Sequence, residues 1–285
     1  MSIRRNWRKS LAALLLVLVL AAPVSAGITA HAYNHGGGPG LSSPQTVTLP
    51  TVSNDDIVVL GIDVGSTSTT ISCPSGYNVI CSQQGGAINS AVPALLGCWH
   101  HWQTGDSINP TYSWTGGVSG TSWVVATYSG ANTTTSLDGT ATCNFQANAS
   151  TSSGVAMGTI TTTNSADELV LLGAAYVGST LLSFSYTSPL TQETTNDVNN
   201  FNYAALADAS LSSAGSTGAK SFLANSTANL AGVLLALQPA TATPTATVTP
   251  TPTATPTATA TATVTATATA TPTAVPGGPR WTIPF

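Results

Sequence analysis

Between Gln45 and Pro239 the apolar residues fall in short runs, each bounded by Gly, Ser, Thr or Asn. Such punctuation predicts strands, and no apolar stripe of period 3.6 persists long enough to predict a helix. Two runs, IVVLGI at Ile57–Ile62 and WVVATY at Trp123–Tyr128, are nearly continuous. They read as central strands buried on both sides or at a sheet interface. Others alternate, as in TSTTIS at Thr67–Ser72, which predicts a half-buried strand.

The runs recur in order. DDIVVLG at Asp55–Gly61 matches DELVLLG at Asp167–Gly173, and VGST at Val64–Thr67 matches Val177–Thr180. Thr104–Asp106 lines up with Ala214–Ser216, each ahead of a short strand (Tyr112–Trp114 and Ser221–Leu223), and Val124–Tyr128 matches Val233–Leu237. The offset drifts only from 112 to 109. Ordered self-similarity of this kind marks a repeated structural unit. The expectation is an all-β fold: a single jelly-roll-like β-sandwich over 45–239, built from pseudo-repeats 45–147 and 155–239 of about 110 residues. Two sheets closing face to face would bury both apolar faces. Two small sandwiches are the alternative.

The flanks differ from this middle. Arg4, Arg5, Arg8 and Lys9 precede an apolar stretch, Leu11–Ala22, and the small residues Val24-Ser25-Ala26 follow it. This is the layout of a secretory signal peptide with cleavage after Ala26. The apolar stretch is shorter than the roughly 20 residues a spanning helix needs, so no transmembrane segment is expected after cleavage. A Gly-rich segment, 27–44, leads into the sandwich. Beyond it, residues 240–285 are rich in Thr, Pro and Ala, and from 240 to 276 they carry neither charge nor aromatic ring. Such a tail is expected to be disordered. Its Pro content favours extended segments of ~3.1 Å per residue, and its Thr-Pro content is that of O-glycosylated stalks.

Charged residues make up only 6% of the chain. Outside the leader only Lys220 and Arg280 are basic, against ten acidic residues. Nucleic-acid binding, which needs clustered Lys and Arg, is excluded, as is a basic membrane-surface patch. An exported chain meets an oxidising environment, so Cys73, Cys81, Cys98 and Cys143 are expected to form two disulfides. Three connectivities are open. The spacings of 8, 17 and 45 fit no usual zinc pattern, and neither a metal nor a cofactor is expected.

Several motifs together resemble a type of secreted bacterial and phage protein. They are the acidic residue before a Val-rich strand, Pro74-Ser-Gly-Tyr77, Thr104-Gly-Asp106 ahead of Thr111-Tyr-Ser-Trp114, and Ala126-Thr-Tyr-Ser-Gly130. Tyr77 stands where that pattern usually has Trp. The resemblance implies a jelly-roll-like accessory or adhesive module and carries no catalytic residues.

Candidate chemistry is sparse. Cys98-Trp-His-His-Trp102 is the most distinctive stretch, and its counterpart in the second half, Asp208–Ser212, lacks its chemistry. In a strand, Trp99 and His101 share one face and His100 and Trp102 the other. One pair is expected to face the core and the other to face outward, where an aromatic ring could stack on a sugar. Trp99, His100, His101 and Trp102 are therefore the candidate ligand-binding residues. The acidic pairs Asp55-Asp56 and Asp167-Glu168 recur at one repeat position, which favours a structural role over a glycosidase pair. His31 and His35 would resemble a copper brace only if cleavage fell after Ala30. No nucleophile elbow is present. Asn132, Asn148 and Asn225 begin glycosylation sequons. The expectation is a secreted, non-catalytic binding or adhesive module whose partners are carbohydrate or cell-surface components. A structural surface or filament subunit, and then a secreted polysaccharide-active enzyme, are the alternatives.

Overall fold

The apolar runs become strands, and there is no helix among the described residues. The computed structural model describes residues 27–65, 70–84, 93–116, 120–152, 154–177, 182–198, 202–241 and 277. The expected signal peptide lies outside them, as does the Thr/Pro-rich tail apart from Ala240, Thr241 and Gly277. Part of the expected strand at Thr67–Ser72 also lies outside. The chain divides into one unit, Met1–Pro244, and a second, Thr245–Phe285.

The first half of the fold contains β1 (Thr29–Pro39), β2 (Gln45–Thr46), β3 (Ile57–Gly65), β4 (Ile71–Ser72), β5 (Asn78–Gln84), β6 (Pro93–His101), β7 (Thr111–Trp114) and β8 (Gly120–Ser129). The second contains β9 (Thr142–Ala149), β10 (Val155–Met157), β11 (Thr161–Thr162), β12 (Glu168–Tyr176), β13 (Phe184–Tyr186), β14 (Thr191–Val198), β15 (Asn202–Ser210), β16 (Gly215–Ser216), β17 (Lys220–Ala224) and β18 (Ala228–Leu237). Two five-stranded antiparallel sheets dominate, ordered β1-β8-β3-β6-β5 and β9-β18-β12-β15-β14. Two three-stranded sheets, β2-β7-β4 and β10-β17-β13, and the pair β11-β16 complete the fold.

The large sheets pack face to face, as the sandwich expectation requires. Ile57, Val59, Leu95 and Val124 of one sheet meet Val170, Leu172, Leu206 and Val233 of the other. The outer faces are not left to water. Val58, Leu60, Ile62 and Val64 pack with Tyr112 and Trp114 of β7, and Leu169, Leu171 and Leu234 pack with Phe222 of β17. The result is four β layers rather than two. Every residue of β3 is buried, which accounts for its unbroken apolar sequence. Gly61 and Gly97 are ladder partners. A Cβ at Gly61 would stand 3.2 Å from the Leu172 side chain, and one at Gly97 would stand 3.1 Å from Val233. Glycine at these two positions lets the large sheets approach.

The backbone corrects the register of the sequence match. Asp55 donates to the Trp102 carbonyl and Trp102 to that of Asp56; likewise Ala166 donates to Leu211 and Leu211 to Asp167. Asp55 and Ala166 share a positive φ, 70° and 67°. Asp55 therefore corresponds to Ala166 and Asp56 to Asp167, one residue away from the letter-by-letter match. A one-residue slip exchanges the two faces of a strand. With the corrected register, Val59 and Val170 both enter the central layer. The acidic pairs thus do not share a position, and only Asp56 and Asp167 are equivalent. The counterpart of Cys98–Trp102 is likewise Ala207–Leu211 rather than Asp208–Ser212.

Polar contacts cross the central layer. Tyr33 and Tyr128 each donate to Asp208 at 2.8 Å, and Asn202 donates to Asp63 at 3.2 Å. Burial raises the pKa of Asp208 against the lowering effect of those two hydroxyls. Burial also holds that of Asp63 well above the ordinary range. Cys81 and Cys143 form a disulfide between the edge strands β5 and β9, and Cys73–Cys98 is the other.

Candidate functional site

Strand β6 delivers the Trp-His-His-Trp segment, and the covering layers decide where its side chains go. All four residues are half-buried. Trp99 packs against the central layer and Trp102 against the outer one. The expectation of an outward-facing Trp–His pair is not met, because both faces of this sheet are covered. His101 lies 3.1 Å from Asp55, Nε2 to Oδ1.

His100 opens onto a cavity. Its Nδ1 contacts the Gly76 carbonyl at 3.0 Å and its Nε2 contacts Asp106 Oδ2 at 2.9 Å. Its ring stacks on Tyr77, with centroids 4.7 Å apart and planes at 21°. Local sequence builds both walls. Tyr77 N donates to the Pro74 carbonyl, closing a four-residue turn with Gly76 at φ 85°, a conformation that glycine adopts without strain. The Cys73–Cys98 disulfide pins this turn beside β6, two residues before His100. On the other side, Asp106 Oδ2 also accepts the Gln103 N–H at 2.7 Å. The Gln103 donor, and after it His100, hold the Asp106 pKa below the ordinary value. Asp106 is therefore an anion at neutral pH, and its Oδ1 has no partner among the described residues.

The cavity has a volume of about 250 Å³, and Ser75, Tyr77, His100, Asp106, Ser107 and Asn109 line it. Burial, and then the charge of Asp106, push the Tyr77 phenol up; its hydroxyl is buried without a partner. A carboxylate acceptor beside a side-chain amide and a hydroxyl can complement neighbouring hydroxyls of a ligand. A general base is a different matter. Both nitrogens of His100 already face oxygen acceptors, so neither is placed to take a proton from Ser75 or Ser107.

The other sequence candidates stand apart from this cavity. His31 Nδ1 contacts Asp56 Oδ2 at 3.0 Å, whereas His35 Nδ1 contacts Thr194 Oγ1 at 2.9 Å, so the two histidines serve different contacts. No group of three or more His, Cys, Asp or Glu that could hold a metal ion occurs among the described residues. Sequence reasoning missed Asp106 and Tyr77 as partners of His100. The signals were there, since both lie in turn motifs, Pro74-Ser-Gly-Tyr77 and Thr104-Gly-Asp106, whose nearness to β6 only the disulfide and the fold create.

The fold and this cavity together define a disulfide-linked, all-β sandwich with a polar site at one sheet end. No protein family, curated protein or solved structure matches the chain.

Proposed function

We propose that the chain is an extracellular, non-catalytic binding module that takes a hydroxyl-rich ligand, such as a neutral glycan, in the His100 cavity. The observation that carries this reading is the ionised Asp106, which lines the cavity together with Asn109 and Ser107. The engagement of both His100 nitrogens supports binding over catalysis. Export rests on the leader sequence, and two disulfides are compatible with it. The Thr/Pro-rich segment would serve as a spacer between this module and whatever bears it.

The test is a glycan-array screen of the purified chain, followed by titration of the hits. Neutral glycans are expected to bind. D106N, which keeps one oxygen for the Gln103 turn but removes the charge, is expected to weaken binding about tenfold, the scale of one charge-assisted hydrogen bond. A blank array, or equal affinity in D106N, would overturn the reading.

A further inference from the structure

The His100 cavity has a counterpart in the second half. Each lies between the loop that follows the fourth strand of its large sheet, β6 or β15, and the start of the middle strand of its outer sheet, β7 or β17. The second cavity has a volume of about 240 Å³, and Ser210, Ser212, Ser213, Ser216, Thr217 and Lys220 are among its lining residues. The shape recurs, but the chemistry is reversed. Where an acidic residue, Asp106, lines the first cavity, a basic one, Lys220, lines the second.

Lys220 is an unusual residue in this chain. It is the one lysine or arginine among the described residues, and it is only 7% exposed. Its Nζ donates to the Ser188 carbonyl at 3.1 Å. The ion pairs among the described residues are all His–Asp contacts, so no carboxylate stands within 4.0 Å of this ammonium. An ammonium has three donors, and burying one against a single carbonyl is costly without a counter-charge. The surrounding serines add hydroxyl donors, whereas the Thr217 hydroxyl is committed, donating to the Gly218 carbonyl at 3.0 Å and accepting from Ile160 N at 3.1 Å. The hydroxyls of Ser212 and Ser213 have no partner among the described residues. Ser210 is already committed, donating to Glu168 Oε2 at 2.6 Å.

We propose that the Lys220 cavity binds an oxyanion, with the ammonium as counter-charge and the Ser212 and Ser213 hydroxyls as further donors. The group is a sulfate, phosphate or carboxylate, supplied either as a free ion or as the acidic group of a sugar. This site is independent of the His100 cavity, and its failure leaves that reading untouched.

The test is calorimetric titration of the purified chain with sodium sulfate, sodium phosphate and sodium galacturonate, against sodium chloride at matched ionic strength. Saturable binding of at least one oxyanion is expected. K220M is expected to lose it by about tenfold or more, on the scale of a hydrogen bond to a charged group, and K220R is expected to retain it. Tighter binding of galacturonate than of sulfate identifies an acidic sugar as the source; the reverse identifies the free ion. Amide shift mapping on the wild-type chain gives a second reading should K220M not fold, with changes expected at Ser212–Thr217. The proposal is overturned if no oxyanion differs from chloride, if folded K220M binds as well as wild type, or if the shifts fall elsewhere.

Discussion

Removal of the Cys81–Cys143 disulfide, by C81A/C143A, is expected to lower stability by about 4 kcal/mol, read from urea unfolding. The size follows from the 62-residue separation, since a cross-link restricts the unfolded chain more as the loop it closes lengthens. The location adds to the effect. Cys81 belongs to β5 and Cys143 to β9, so the bond joins edge strands of the two large sheets. At the opposite edges, β1 and β14 are tied by side-chain hydrogen bonds, His35 to Thr194 at 2.9 Å and Asn196 to the Gly36 carbonyl at 2.6 Å. The Cys73–Cys98 bond spans only 25 residues and lies within the first half. Its removal is expected to cost about 3.5 kcal/mol and to disturb the His100 cavity first.

The second large effect is a loss of stability as pH rises. Asp138 occupies in the second half the position that His31 holds in the first: Leu137 bridges Leu237 as Ala30 pairs with Tyr128. The His31–Asp56 contact is thus replaced by two carboxyls, Asp138 and Asp167. Burial works against the Asp138 anion, but donors from Thr163 and Asn164 outweigh it and hold the pKa low. Asp167 is less well served: neither oxygen has a partner at hydrogen-bond distance, and Thr162 alone favours its anion. Burial, then the neighbouring Asp138, raise it to about 7. A proton on Asp167 resolves the conflict by bonding to Asp138. Glu168 is also raised to about 7 by burial, against the Ser210 hydrogen bond and with help from the charges of Asp208 and Glu193.

Carboxyls raised on folding stabilise the protein while they hold their protons. The contribution is full below about pH 4, shrinks as pH rises, and is gone once pH passes about 7. Each group contributes a slope of up to about 1.4 kcal/mol per pH unit within that window. The thermal midpoint is therefore expected to fall between pH 5 and pH 7. D167N, which can still donate to Asp138 but does not titrate, should flatten the profile. A midpoint that climbs over that interval would contradict the assignment.

The strands were legible because their burial is so complete. A strand enclosed on both faces has no polar alternation, and IVVLGI and WVVATY show none. The same property hid the register, because an unbroken apolar run aligns with its repeat equally well when slipped by one residue. The outer layers were poorly legible. Their strands are two to five residues long, too short for periodicity to stand out. They act through a few large side chains, Tyr112, Trp114 and Phe222. Missing those layers led to the expectation that one face of β6 would meet solvent. His100 was legible as a chemical oddity, but its role depends on Gly76 and Asp106, which reach it through turns and a disulfide whose pairing the spacing left open. The Lys220 cavity followed from neither motif nor composition; it emerges from the matching place of the two cavities.

The most direct test of a binding role at His100 is the imidazole ¹H–¹⁵N spectrum of the purified chain during titration with a glycan bound on the array. His100 is expected to shift in proportion to occupancy while His31 and His35, held at Asp56 and Thr194, stay in place. A saturating titration that leaves His100 unmoved, or that moves His31 or His35 instead, would contradict that role.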